Sequence, residues 1–169
     1  MKVLLVIDMQ NDFIDGVLGT PEAQAITARV RAKAEAAKAN GDTVIYTRDT
    51  HGENYLETQE GRLLPVPHCI RGTQGWEIAE TVWIPGCEVV DKPSFGSPEL
   101  AERVAALAPE AVELCGVCTD ICVISNAILL KAKLPEVPVS VDSACCAGVT
   151  PARHETALDA MRACQIEVK

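Results

Sequence analysis

Three cysteines, Cys115, Cys118 and Cys122, fall in the stretch ELCGVCTDICV in the spacing C-x2-C-x3-C. The pattern admits three readings: a metal or cluster knot, core residues beside one nucleophile, or plain filler. A thiolate metal site needs a fourth ligand and usually comes as paired C-x2-C units. The adjacent Cys145 and Cys146 are poorly spaced to ligate one ion. The nucleophile reading is more specific. GVCTDIC leaves an apolar run and opens a helical one, with Thr119 or Asp120 placed to cap it. Cys122 then sits in a first helical turn, where unpaired N–H groups and the helix dipole favour a thiolate. Lys92 nearby would depress the thiol pKa further, and Asp8 would supply the base that a cysteine nucleophile requires.

A second set is Asp49-Thr-His51, followed by His68. Side chains of an extended segment alternate, so the Asp and His of D-x-H share a face. Two imidazoles and a carboxylate with open positions describe a catalytic divalent-metal site, and Glu60 or Glu53 would add an oxygen ligand. Taken singly, each group also has a structural reading. Asp8 is then a turn former, Lys92 a solvated charge, Asp49 a loop carboxylate, and the histidines are polar loop residues. The third histidine, His154, falls on an amphipathic helical stretch and reads as surface.

The elements that must hold these groups alternate. Residues 2–8, 43–48, 87–92, 110–116, 137–143 and 164–169 are short, β-branched apolar runs bounded by Gly, Pro or Asp, and read as strands. Residues 20–41, 97–107, 120–134 and 150–163 have helical patterning, the first two opened by Thr20-Pro21 and Ser97-Pro98. Buried strands alternating with helices predict an α/β fold: one domain, residues 1–169, with three α/β/α layers around a six-stranded, mostly parallel sheet. Ligands of such sheets bind beyond the carboxyl ends of the strands. Asp8, Asp49, Lys92 and the Cys122 turn are four such ends. The long aperiodic stretch 48–84, which carries two of the three histidines, reads as a functional loop.

Composition narrows the partners. Fifteen basic residues against 24 acidic ones give a net charge of -9, which disfavours nucleic acid and anionic membrane. No apolar run approaches the roughly 20 residues of a membrane span. The short run Val3–Ile7 ends without a cleavage-site pattern, so it reads as a strand rather than a signal peptide. Eight cysteines without an export signal fit a reducing, cytoplasmic compartment. A small-molecule substrate fits best.

The stretches VIDMQNDF, YTRDTH, LPVPHCIRGTQGWEI, DKPSFGSPEL and GVCTDICV occur in this order and together resemble the isochorismatase-like cysteine hydrolases. The D-x-H…H pattern is similar to the nicotinamidase (pyrazinamidase) branch. The resemblance implies a catalytic triad of Asp8, Lys92 and Cys122. It implies a cis peptide between Val117 and Cys118, with the amides of Cys118 and Cys122 as an oxyanion hole. It also implies one divalent metal ion (Zn, Fe or Mn) on Asp49, His51 and His68, with Glu60 as a fourth ligand. Phe13 would line the substrate pocket. The usual aromatic residue before the second histidine is replaced by Leu64 or Val66, so Trp76 or Tyr55 is left to supply the ring.

The implied activity is hydrolysis of a small amide, nicotinamide first, within NAD salvage, by a homodimer or larger homo-oligomer. Another small amide, ureide or carbamoyl substrate is the enzymatic alternative. A non-catalytic oligomeric scaffold is the alternative of a different class.

Overall fold

The computed structural model describes residues 1–169. Six strands form one sheet: β1 (Lys2–Ile7), β2 (Thr43–Asp49), β3 (Glu88–Lys92), β4 (Ala111–Val117), β5 (Val139–Ala147) and β6 (Glu167–Val168). Their order is β3-β2-β1-β4-β5-β6, and every neighbouring pair is parallel. The predicted α/β architecture is therefore present, with a sheet that is wholly rather than mostly parallel. The chain winds outward from β1 to β3, then returns to the other side of β1 with β4. The order reverses between β1 and β4, and a crevice opens at such a switch point, beyond the strand ends.

Four long helices flank the sheet: α2 (Pro21–Ala39), α4 (Pro98–Ala106), α5 (Ile124–Lys133) and α6 (Pro151–Ala163). Two short ones, α1 (Asn11–Ile14) and α3 (Gln59–Leu63), lie in the loops. Right-handed crossovers place α2 on one face and α4, α5 and α6 on the other. The helix starts follow one device. Thr20, Ser97 and Thr150 each accept a hydrogen bond from a backbone N–H three residues on, and proline follows each of them. A core of 37 buried residues fills the space between the layers.

Several element bounds shift from the sequence expectation, and three features have a local reason. β5 runs on through Cys145 and Cys146, because a register shift between Leu114 and Gly116 lets it resume pairing at Cys146. β6 keeps only two residues. Gln165 turns there through a left-handed conformation at φ 61° to leave α6. The long connection after β2 is built from two 3-10 turns and α3 rather than being featureless.

Gln10 straps that connection to the sheet. Its amide donates to the carbonyls of Asp49 (2.9 Å) and Trp76 (2.8 Å) and accepts from Asp49 N–H (2.7 Å). Asp12 accepts from Cys69 N–H at 2.8 Å. The loop is thus held against the strand ends at several points.

Candidate active site

Strand spacing explains which side chains meet. Asp49 and Lys92 are register partners on β2 and β3, and Asp8 follows β1 directly. From β3 to β1 is two strand spacings, roughly 9.6 Å. A lysine stem can cover much of that distance. Lys92 Nζ lies 2.6 Å from Asp8 Oδ2, 3.4 Å from Asp49 Oδ1, 3.1 Å from the Ser94 carbonyl and 3.5 Å from Cys122 Sγ. Lys92 and Asp8 are both wholly buried, so neither is the solvated or turn-forming group of the structural reading.

Asp8 is held in the left-handed region at φ 48°, a conformation that aspartate tolerates better than most residues. Thr47 fixes its orientation: the Thr47 hydroxyl donates to Asp8 Oδ1 (2.6 Å) and accepts from Asp8 N–H (3.1 Å). Oδ2 has no well-angled donor and is left with the Lys92 ion pair, while the carboxyl also contacts the Cys122 thiol. Burial raises the Asp8 pKa, with Lys92 opposing and Asp49 adding to the rise. Burial likewise opposes the charge on Lys92, yet Asp8, Cys122 and Asp49 outweigh it and hold the ammonium well above its ordinary value.

The cysteine turn corrects two expectations. It is a wide π-type turn over Thr119–Val123, with Val123 N–H bonded to the Cys118 carbonyl at 3.1 Å. Neither Thr119 nor Asp120 caps it. Their side chains reach His154 Nδ1 (2.8 Å) and Val149 N–H (2.9 Å) instead. The Cys122 thiol is not lowered either. Burial and the Asp8 carboxylate push it well above the ordinary thiol value, and Lys92 only partly offsets them. Cys122 Sγ thus lies 3.5 Å from the Lys92 ammonium and against the Asp8 carboxyl.

The peptide Val117–Cys118 is cis. Before it, Gly116 takes φ 116°, and a Cβ there would come within 2.1 Å of the Ile7 carbonyl. Only glycine lets β4 approach β1 so closely at the switch point.

Cys115 is buried in β4, its thiol also pushed up by burial, while burial raises Cys118 to about 12. All eight cysteines are free, and none belongs to a metal-ligating cluster.

That cluster is Asp49, His51, Glu60 and His68, whose ligand atoms lie within 4.8 Å of one another. Asp49 Oδ2 is 3.0 Å from His51 Nε2 and 3.5 Å from His68 Nε2, and Glu60 Oε1 lies 3.6 and 3.7 Å from the same nitrogens. His68 Nδ1 bonds the Val66 carbonyl at 2.8 Å, which fixes a proton there and frees Nε2 as a ligand. Tyr55 packs edge-on against both imidazoles, at 4.8 and 5.0 Å between centroids. Glu53 lies outside the set and is exposed.

Burial opposes the Asp49 charge, but the contacts with His51 and His68 and the charge of Lys92 hold its carboxyl far below the usual range. Burial and Asp49 together raise Glu60. With His51 and His68 neutral, the form in which an imidazole ligates, Asp8, Asp49 and Glu60 set three negative charges against the one ammonium of Lys92, a surplus of two. Nitrogen and carboxylate donors around such a surplus fit a divalent ion such as Zn, Fe or Mn.

Cys122 and, from the cluster, Asp49, Glu60 and His68 line one cavity of ≈ 230 Å³, with Phe13, Leu64, Phe95, Ile121, Val149 and Arg153 also in its wall. Phe13 and Leu64 are in the cavity wall. Trp76 does not: its ring lies under the Arg48 guanidinium (3.5 Å) and its N–H donates to Thr50 (2.8 Å), outside the cavity. The basic residues on the neighbouring loop and strand capture it. Tyr55 supports the imidazoles rather than the cavity wall. Phe95, three residues after Lys92, is an unexpected ring in the wall, and only its place in DKPSFGSPEL signalled it.

Comparisons with known proteins show the family of this chain. Residues 2–169 match the family model of the isochorismatase domain. The nicotinamidase/pyrazinamidase of Mycobacterium tuberculosis is 28% identical, over 99% of this chain and 98% of that one. The pyrazinamidase/nicotinamidase of Streptococcus mutans superposes with a TM-score of 0.89 at 27% identity, covering 100% of both chains. The zinc complex of Pyrococcus horikoshii pyrazinamidase superposes at 0.85 with 28% identity, over 99% and 98% of the chains. Fold, site and family match together place this chain in the isochorismatase family.

Proposed function

We propose that this protein is a metal-assisted nicotinamidase, hydrolysing nicotinamide to nicotinate and ammonia through a thioester on Cys122. The observation that carries the reading is one ammonium, Lys92 Nζ, touching both Asp8 (2.6 Å) and Cys122 (3.5 Å) beside a two-imidazole, two-carboxylate cluster. Relatives named as nicotinamidases support the substrate.

Asp8 Oδ2 accepts the thiol proton as Cys122 Sγ attacks the amide carbon. The carbonyl π pair moves onto oxygen, which rests on the backbone amides of Cys118 and Cys122. Lys92 stabilises the Asp8 carboxylate before this transfer and the Cys122 thiolate character that develops during it. When the carbonyl re-forms, the C–N bond breaks and Asp8 returns its proton to the departing ammonia. Asp8 then deprotonates a water that attacks the thioester, and C–S cleavage regenerates the thiol and releases the acid. Asp49, His51, Glu60 and His68 would hold a divalent ion, which would supply a Lewis-acid contact to orient the substrate ring. Phe13, Leu64 and Phe95 pack around that ring and exclude water.

A second reading, hydrolysis of another small amide, ureide or carbamoyl compound by the same three residues, is favoured by one observation. Leu64 stands where a ring-packing aromatic is expected, and Trp76 is turned away. An ammonia-release screen over nicotinamide, pyrazinamide and simple ureides, with and without added metals, separates the two. Nicotinamide turnover that is lost in Cys122→Ala supports the first reading, whereas wild-type turnover in Cys122→Ala overturns it. A homo-oligomeric, cytoplasmic enzyme acting in NAD salvage completes the proposal.

A further inference from the structure

The cysteine turn is closed by its own backbone, Val123 N–H on the Cys118 carbonyl at 3.1 Å, and by the Asn126 amide on the Cys122 carbonyl at 2.7 Å, but its side chains do not cap it. Its start at Cys118 has no side-chain cap, and the two residues suited to capping, Thr119 and Asp120, point across to the junction of β5 and α6. Thr119 is wholly buried, and its hydroxyl meets His154 Nδ1 at 2.8 Å. Asp120 Oδ1 accepts from Val149 N–H at 2.9 Å. Gly148 lets the two segments meet this closely. A Cβ there would come within 2.9 Å of His154 N and 3.0 Å of Asp120 Oδ1.

A buried hydroxyl with one directional partner fixes its own backbone, because losing the partner leaves a desolvated polar group. Thr119 adjoins Cys118 and lies three residues before Cys122, the two amides read above as the oxyanion hole. His154 itself lies outside the cavity that holds Cys122.

We infer that His154, acting through Thr119, is a positioning residue for the oxyanion-binding turn. This rests on the proposed role of Cys122 and the turn amides. A preorganised donor pair acts where charge develops in the transition state, so losing its alignment lowers kcat more than it weakens ground-state binding. His154→Ala is expected to lower kcat about tenfold while KM changes less than twofold. Asn places a hydrogen-bonding atom where Nδ1 stood, so His154→Asn restores most of the rate. Thr119→Val, which keeps the shape and loses the hydroxyl, matches His154→Ala, and the double variant is no worse than either single one.

The separating readout is the affinity for the aldehyde analogue of the substrate, whose carbonyl adds the Cys122 thiol to give a tetrahedral adduct, against that for the planar product acid. In His154→Ala and Thr119→Val aldehyde affinity should fall about tenfold and acid affinity should hold. Equal loss of both, or no loss of either, in variants with wild-type melting behaviour overturns the inference. If Thr119→Val fails to fold, His154→Ala and His154→Asn carry the test alone. A wild-type protein that forms no aldehyde adduct on Cys122 would instead overturn the underlying functional reading.

Discussion

Two charge clusters sit on the same sheet and are built in opposite ways. On one face, Lys33 bridges Glu113 (3.0 Å) and Asp142 (2.8 Å), and Lys169 closes on Glu113 (3.0 Å). Two cations meet two carboxylates, and the groups keep partial contact with water. At the carboxyl edge, Asp8, Asp49 and Glu60 meet one fixed cation, Lys92, and two imidazoles, His51 and His68, and Asp8 Oδ2 has no well-angled donor. The first cluster is balanced and tolerant. The second is buried and short of positive charge, which is costly unless an ion or a proton completes it. An incompletely neutralised buried cluster at a sheet switch point is where the proposed chemistry is placed.

The sharpest way to break this contrast is Cys122→Ala. It should abolish ammonia release, by about 10⁴-fold or more, while thermal unfolding changes little. Next, Asp49→Ala should remove bound metal, seen by elemental analysis, and cut kcat/KM by at least about 100-fold. Chelation of the wild type should do the same, with recovery on adding Zn, Fe or Mn back. Gln10→Ala joins the two effects, because it strips Asp49 and the loop of buried hydrogen bonds. It should cost about 2–3 kcal/mol in denaturant unfolding and weaken metal retention.

The balanced cluster should respond least. Burial opposes the Asp142 charge, but hydrogen bonding and attraction to Lys33 hold its pKa below the usual carboxylate value. A depressed folded pKa gives stability that is present above the unfolded value of roughly 4 and is lost as pH falls through the folded one. Asp142→Asn should therefore cost about 1 kcal/mol at neutral pH and almost nothing near pH 2, measured as denaturant midpoints.

Asp8 runs the other way. Its pKa is raised by burial, and the mechanism needs the ionised form. The acid limb of kcat/KM should fall above the ordinary carboxylate range, and Asp8→Asn should remove activity at every pH.

Much of this was legible in the sequence because it depends on strand ends. Asp8, Asp49, Lys92 and the Cys122 turn follow apolar runs, so a parallel sheet brings them to one edge whatever the loops do. The D-x-H spacing likewise brings Asp49 and His51 together through strand alternation alone. What could not be read depends on contacts between distant segments. Trp76 is taken from the cavity by Arg48, which only the folded loop brings near. His154 looks like a surface residue of α6 until Thr119 is seen to reach it. The expected lowering of the Cys122 thiol failed because helix position says nothing about burial or about Asp8 being a neighbour in space.

The central claim is that Cys122, and no other cysteine of ELCGVCTDICV, carries the acyl group. Acid-quenched enzyme turning over nicotinamide, digested and read by mass spectrometry, tests this most directly. The account predicts a nicotinoyl thioester on the Cys122 peptide and none on Cys115 or Cys118. Ammonia release with Cys122 unmodified throughout, or an acyl group on another cysteine, would contradict it.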